Sequence, residues 1–457
     1  MDTVRINEKD NVCVNLETGH KIALCDIQKG ADVIKYGYPI GCATENIKKG
    51  DSVHSHNMKT KLGDILSYEY NPNFEELLPK EPFVINAYVR PNGDIGIRND
   101  IWIIPTVGCV NSIAKQLAEK TGAICFSHPY GCSQLGGDMK TTQLILRGLI
   151  KHPNAGGVLV LGLGCENNNI SEMKAVLGDC NEERVKFLSV QDCENEIEQG
   201  VELIDELKKI ASADKREQVP ASRLKIGLKC GGSDGFSGIT ANAVVGKFTD
   251  AICAMGATAV LTEVPEMFGA ETVLFDRCSN PEVFDKSVKL INDFKQYFKD
   301  HGEPVSENPS PGNKEGGITT LEEKSLGCIQ KGGTAPVVDV LNYGDTVTKA
   351  GLNLLNGPGN DIVSITNLSS VGCHLILFTT GRGTPLGVPV PTIKIASNDF
   401  IATKKPHWID FCAYGFDKQA KADELLELVK KVANGELTKN EIFANREIAI
   451  FKDGVTL

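Results

Sequence analysis

Residues 159–169 read LVLGLGCENNN. An apolar run stops at Gly164, and Cys165, Glu166 and three asparagines follow. The first half has the length and composition of a buried strand, and its lack of polar alternation suits a strand covered on both faces. Two earlier stretches share this grammar: IWIIPTVGCVN (101–111) and AICFSHPYGCSQ (123–134). They end in Gly-Cys at Cys109 and Cys132. Amphipathic stretches with helical spacing alternate with these runs: NSIAKQLAEKTG, DMKTTQLILRGLIKHP and ISEMKAVLGD, then NEIEQGVELIDELKKIASA after RVKFLSV. Strand–helix repetition of this kind predicts a mainly parallel sheet with helices on its faces, an α/β fold.

Parallel strands share a direction, so their C-terminal ends line one edge, and open α/β sheets bind ligands outside that edge. Cys109, Cys132 and Cys165 are expected there, each before a helix whose N-terminus favours thiolate. A preceding glycine allows close backbone approach. Three thiolates can hold iron, as a single ion or as an iron–sulfur cluster with one iron open to substrate. A cysteine closing a strand is also a common small hydrophobe. Tight C-x-x-C spacing is absent around these positions, so a zinc ribbon is not indicated. Cys230, in LKCGGSDGFSG (228–238), is a reserve ligand. Cys328 and Cys373 repeat the Gly-Cys grammar further on, while Cys13, Cys25 and Cys253 lie on apolar patterns and read as core.

The chain has 457 residues, 41% of them hydrophobic, a net charge of -11 and 15 cysteines. That length predicts more than one core. The acidic balance argues against a nucleic-acid partner. No apolar run is long enough to span a membrane, and MDTVRINEKDNVCV carries no apolar leader. Many thiols without a leader suggest a reducing, cytoplasmic setting. Residues 1–72 read as a small β module of short alternating runs. Residues 73–99 read as a polar linker turning into an edge hairpin around PNGD. The strand–helix region spans 100–219, and the charged stretch SADKREQVPASR separates it from a second α/β region, 220–457. Candidate strands of that region are LKIGLKCGG, GATAVLTEV, APVVDVLNYG, DIVSITN, HLILFTTG and TIKIAS, and DELLELVKKVANG is a helix.

Other polar groups are candidates for acid–base or anchoring roles. In VHSHN, His54 and His56 would share a face on an extended segment, and imidazoles carry protons or metals; an ordinary solvated loop is the alternative. His128 precedes Cys132 by four residues. LTEVPEMFGAE sets Glu263, Glu266 and Glu271 after a strand, with Glu263 best placed to reach the sheet edge as a base. Acidic residues in a first helical turn are the plainer reading. ENPSPGNKEGG offers Lys314. FTTGRGTPLG offers Arg382 and Thr384, suited to a carboxylate or equally to a tight turn. The G-x-x-x-x-G-K-S/T phosphate loop is absent.

The motifs KYGYPIGCAT, VHSHN, PTVGCVN, SHPYGCSQLG, HPNAGGVLVLGLGCENN, CGGSDGFSGITAN, LTEVPEMFGAE, ENPSPGNKEGGITTLEEKSLGC, FTTGRGTP and AIFKDGVTL span nearly the whole chain. Together they resemble the altronate/galactarate dehydratase family, which also holds sulfolactate sulfo-lyase, and lie nearer its altronate branch. The resemblance implies a β-clip (SAF-type) N-terminal domain, a Rossmann-like α/β body and a homodimer. It implies a hydro-lyase of hexuronate catabolism that takes water from D-altronate to give 2-dehydro-3-deoxy-D-gluconate. It also implies iron, as Fe2+ or a cluster, with Mn2+ as a possible substitute. The shared pattern includes Cys109, Cys132, Cys165, Glu166, Cys230 and Glu263, and leaves out Cys328 and Cys373. On this reading the three strand-end cysteines hold the iron, and Glu166 and the asparagines line it. His54, His56, His128 and Glu263 are the acid–base candidates, and Lys314, Arg382 and Thr384 anchor substrate. The alternatives are a related lyase acting on galactarate, another aldonate or sulfolactate, and a non-catalytic carbohydrate-binding protein.

Overall fold

The computed structural model describes residues 2–62, 65–415 and 417–457. The chain opens with two small antiparallel sheets. One contains Val12–Asn15, Lys21–Ala23 and Ser52–Val53; the other pairs Asp32–Lys35, Tyr38–Ala43 and Met58–Lys59. Alternating residues Val12, Val14, Val33, Ile40 and Val53 point inward and join the core of the C-terminal region. Residues 65–83 form no regular element and strap across that region: Tyr68 Oη donates to Glu271 Oε1 (2.6 Å) and Tyr70 Oη to the Cys278 carbonyl (3.1 Å). Beyond it Val84–Val89 and Ile95–Gly96 make the hairpin around PNGD, and Arg216–Pro220 pairs antiparallel on its other side.

The first α/β sheet has strands β1 (Asp100–Pro105), β2 (Ile124–Cys125), β3 (Ala155–Gly162) and β4 (Val185–Ser189), all parallel, in the order β2-β1-β3-β4. Every residue of β3 is buried, as its uniform apolarity requires. Helices α1 (Asn111–Thr121), α2 (Gly136–Ile150), α3 (Ile170–Leu177) and α4 (Glu196–Ser212) connect and cover the strands.

The second sheet is parallel and seven-stranded: β5 (Lys225–Cys230), β6 (Thr258–Leu261), β7 (Val337–Leu341), β8 (Gly351–Leu355), β9 (Leu375–Thr380), β10 (Thr392–Ala396) and β11 (Phe411–Cys412). Its order is β7-β8-β6-β5-β9-β10-β11. The expected strand DIVSITN is a correction: Asp361–Ser370 is a helix. Its β-branched residues mimic a strand, but the Asn360 side chain accepts from the Val363 N–H and caps the first turn. The strand of this unit is the short GLNLL just before it.

The two sheets share a core of Trp102, Val160, Ile376 and Phe378 among others. Their strand starts meet where Asn154 Nδ2 donates to the His374 carbonyl (2.8 Å), and α2 packs its last turn, at Gly148, on Ser370 at the end of Asp361–Ser370. The final residues tie the two units again: Leu457 N–H donates to Ser133 O (2.9 Å), and Asp453 N–H donates to Asp138 Oδ1 (2.9 Å).

Candidate functional site

The Gly-Cys loops follow three adjacent strands, with Cys109 after β1, Cys132 after β2 and Cys165 after β3. All three cysteines are free and exposed. Their loops are stitched together. Gly108 N–H donates to Tyr130 O (2.9 Å) and Asn168 N–H to Gly131 O (3.0 Å). Ser133 N–H donates to Asn167 Oδ1 (2.9 Å), and Asn168 Nδ2 to Thr106 O (3.1 Å). Gly131 has φ +100°, and a Cβ there would stand 2.0 Å from Thr106 O. This glycine serves loop-on-loop packing. Glu166 is buried: its carboxylate accepts from Thr106 Oγ1 (2.7 Å) and from the Leu163 (3.0 Å) and Gly164 (2.6 Å) N–H groups. It organises the loop from inside and is no part of a polar lining.

The three sulfurs are not all within 4.8 Å of one another. Sulfurs sharing one tetrahedral ion stand about 3.8 Å apart for ~2.3 Å bonds. As placed, the three sulfurs do not form a closed donor set for one shared ion. His128 lies beneath this edge, with Nε2 on Pro105 O (2.8 Å) and Nδ1 accepting from the Tyr130 N–H (3.2 Å). Burial pushes its pKa down to about 4. With both ring nitrogens committed to backbone, it has none left for a substrate proton.

At the second sheet the order reverses between β5 and β9, the position where open α/β sheets leave a crevice. Gly381 and Arg382 N–H groups both donate to Gly232 O at 3.1 Å there. Arg382 is exposed, with Nη1 on Gly312 O (3.2 Å) and Nη2 3.1 Å from Glu315. Both partners belong to the short helix Pro311–Glu315, which carries exposed Lys314. Thr384 Oγ1 accepts from the Leu386 N–H (3.2 Å), closing a turn.

The N-terminal module docks on this crevice. A Cβ on Gly235 would stand 2.1 Å from Gly19 O, so the hairpin turn rests directly on the loop after β5. His54 Nδ1 lies 2.7 Å from Thr319 Oγ1, and the His20 ring stands edge-on to it at 5.3 Å. Burial, then Lys21 and His20, push its pKa down. His54 and Asn57 close a tight turn, Asn57 N–H donating to His54 O (3.0 Å). The segment is therefore not extended, and exposed His56 does not share the face of half-buried His54. Cys25, expected in the core, is exposed.

Beneath the crevice lies a set of buried charges that sequence reasoning only partly reaches. Glu263 adopts φ +76°, one of four non-glycine residues with positive φ among the described residues; Ser133, beside Cys132, is another. Strained backbone of this kind gathers at functional sites. The Glu263 carboxylate accepts from Lys229 Nζ, from the Cys230 N–H (3.0 Å) and from Lys331 Nζ (3.2 Å). Burial and neighbouring Glu266 push its pKa up against those lysines. Glu266 pairs with Lys324 (2.8 Å) and Lys229 with Asp361 (2.9 Å). Cys230 Sγ and Cys328 Sγ lie 3.2 Å apart. The cue for this cluster in the sequence is a lysine inside the apolar run of β5.

Residues 15–61, 87–212 and 221–456 match in turn the patterns described as "Altronate/galactarate dehydratase SAF domain", "D-galactarate dehydratase/Altronate hydrolase, second domain" and "D-galactarate/Altronate dehydratase, C-terminal". This chain belongs to the D-galactarate/altronate dehydratase family. Altronate dehydratase of Bacillus subtilis (strain 168) is 52% identical over 99% of this chain and 94% of its own length. Altronate dehydratase of Escherichia coli (strain K12) is 52% identical over 98% and 94%. Galactarate dehydratase (L-threo-forming) of Escherichia coli (strain K12) is 31% identical over 91% and 84%. The family's SAF domain is the pair of small antiparallel sheets that carries His54. No helix among the described residues is long and apolar enough to cross a membrane.

Proposed function

We propose that this protein removes water from D-altronate to give 2-dehydro-3-deoxy-D-gluconate. The gap in identity carries the choice of substrate: 52% to two altronate dehydratases against 31% to the galactarate enzyme. In the reaction a base takes the C2 proton, the C2–H electrons form the C2=C3 bond, and the C3 hydroxyl leaves as water after gaining a proton. The enol product then tautomerises to the 2-oxo acid.

In this reading Arg382 and Lys314 hold the substrate carboxylate, because both present exposed cations beside one short helix at the switch-point crevice. Thr384 orients a hydroxyl. His54 is the base at C2: Nδ1 is engaged with Thr319, Nε2 remains to accept a proton, and the lowered pKa keeps the ring neutral. Glu263, an expected acid–base group, is buried with both oxygens held by Lys229, Lys331 and the Cys230 N–H, and in this reading it supports the site without exchanging a proton with substrate. Iron held by Cys109, Cys132 and Cys165 would supply a Lewis acid for the leaving hydroxyl. Mn2+ as a substitute, a homodimer and a cytoplasmic place in hexuronate catabolism belong to the same reading and rest on the family resemblance.

Protein purified without oxygen and offered D-altronate, galactarate, other aldonates and sulfolactate should form a 2-oxo acid from D-altronate with the highest kcat/KM. A preference for any other substrate overturns the assignment. Arg382→Ala should raise KM about tenfold to a hundredfold, since a hydrogen bond to a charged group contributes about 1.5–3 kcal/mol.

A further inference from the structure

We propose that Cys230, Glu266 and Cys328 form a second metal site, for a thiophilic divalent cation of the zinc class, separate from the exposed cysteines. Three distances define it. Cys230 Sγ lies 3.2 Å from Cys328 Sγ and 3.2 Å from Glu266 Oε2, and Cys328 Sγ lies 3.0 Å from the same Oε2. All three side chains are buried, and they are the only His, Cys, Asp or Glu trio among the described residues with donor atoms this close together. Sulfurs bound to zinc at ~2.3 Å and tetrahedral angles stand about 3.8 Å apart. An ion would therefore open the triangle by about half an ångström, a side-chain adjustment.

Charge favours the exchange. Around the triangle stand three buried ammonium groups, Lys229, Lys324 and Lys331, and two buried carboxylates, Glu263 and Glu266; a third carboxylate, the partly exposed Asp361, pairs with Lys229. With both thiols protonated the set is neutral. Loss of two thiol protons and gain of one divalent cation leaves it neutral, which a buried site requires. A cation without that deprotonation, or two thiolates without a cation, would leave a buried excess of two charges.

The surroundings already orient the donors. Lys324 Nζ holds Glu266 Oε1 at 2.8 Å, leaving Oε2 toward the sulfurs, and Lys331 Nζ donates to Cys230 Sγ at 3.0 Å. Partners of this kind fix ligand geometry, and a metal-bound thiolate still accepts such a hydrogen bond. Cys328 ends the helix Leu321–Cys328, whose C-terminus favours a cation. One turn earlier on the same face, the buried Ser325 hydroxyl has no hydrogen-bond partner among the described residues. Three protein ligands leave a fourth position for water or a substrate oxygen, and Cys328 and Lys324 border a small cavity also lined by Ser233, Asp234 and Asn242. The sequence hides the site because its three donors come from β5, from the segment after β6 and from a helix 98 residues beyond Cys230.

The test uses the full chain with Cys109→Ser, Cys132→Ser and Cys165→Ser, which removes the exposed trio. Reduced and stripped with a chelator, it is titrated with Co2+. The expected result is one Co2+ per chain, with a thiolate-to-cobalt band in the near ultraviolet and the strong visible bands of a tetrahedral ion, displaced by Zn2+. Adding Cys328→Ser should weaken Co2+ binding at least tenfold and roughly halve the charge-transfer band; adding Cys373→Ser, at a buried position elsewhere, should change neither. Absence of a thiolate band in the folded parent overturns the proposal without any further variant, as does a band that survives Cys328→Ser unchanged.

Discussion

His54 Nδ1 lies 2.7 Å from Thr319 Oγ1, a hydrogen bond that crosses from the SAF domain to the C-terminal domain. It anchors the imidazole through Nδ1 at the seam between the two domains, and in the proposed reaction Nε2 is the nitrogen that takes the proton. His54→Ala should lower kcat about 10²–10⁴-fold, the usual cost of losing one general base. Melting temperature should stay near that of the parent. His56→Ala, on the exposed side of the same turn, should keep its rate. Burial and Lys21 lower the His54 pKa, and a base works in its neutral form. Activity should therefore persist below the ordinary histidine range of about 6.5 and fall only as pH drops further. An acid limb at or above that range, or an unaffected His54→Ala enzyme, removes His54 from the reaction.

Glu323 is the lock beneath that histidine. Its buried carboxylate takes Lys21 and Lys35 at 2.8 Å each and the Thr319 N–H at 2.9 Å. Both lysines belong to the SAF domain, so the contact holds the two units together. Burial pushes the Glu323 pKa up, but the two lysines outweigh it and bring it down to about 2. A carboxyl with a depressed folded pKa stabilises fully above its unfolded value, about 4.3, and loses that contribution as pH falls toward 2. Glu323→Gln leaves two buried ammonium groups without their anion and should cost ~3–5 kcal/mol of stability. Chemical denaturation measures this. A variant as stable as the parent would mean that the SAF domain docks by its apolar face alone.

Much of this architecture can be read from the chain, and the misses have physical reasons. β3 is legible because one uniform apolar run can only be a strand buried on both faces, and its end predicts the edge that carries Cys165. Asp361–Ser370 misleads because its β-branched residues obscure a capped helix. His54 and His56 separate because a side chain–backbone turn at Asn57 replaces the extended segment. The Glu323 lock has no local signature, since its lysines lie 302 and 288 residues away. Cys328 repeats a Gly-Cys motif found elsewhere in the chain, and only the fold brings it to Cys230.

The three exposed cysteines give the last prediction. Cys165 is exposed, and its one side-chain hydrogen bond among the described residues is the 3.4 Å contact from Gln191 Nε2. Cys165→Ser therefore removes almost no packing and should leave stability within about 0.5 kcal/mol of the parent, as for other surface changes. It exchanges a soft thiolate for a poor iron ligand. If the trio holds iron that serves the reaction, the variant prepared without oxygen should be folded and iron-depleted, with turnover down by several orders of magnitude. Cys109→Ser and Cys132→Ser should behave alike, because ligands of one centre fail together. Cys13→Ser, at a buried sulfur 3.6 Å from Ile22 O, should keep iron and activity. The three loops are stitched at Gly108, Gly131 and Asn168, so loss of iron should not collapse the edge, and circular dichroism should report an unchanged fold. Iron and visible absorbance measured beside activity separate the outcomes. Normal iron with normal turnover in Cys165→Ser would reduce the trio to exposed strand ends. Lost iron with normal turnover would confine the chemistry to the second sheet and the residues proposed there, His54 and Arg382.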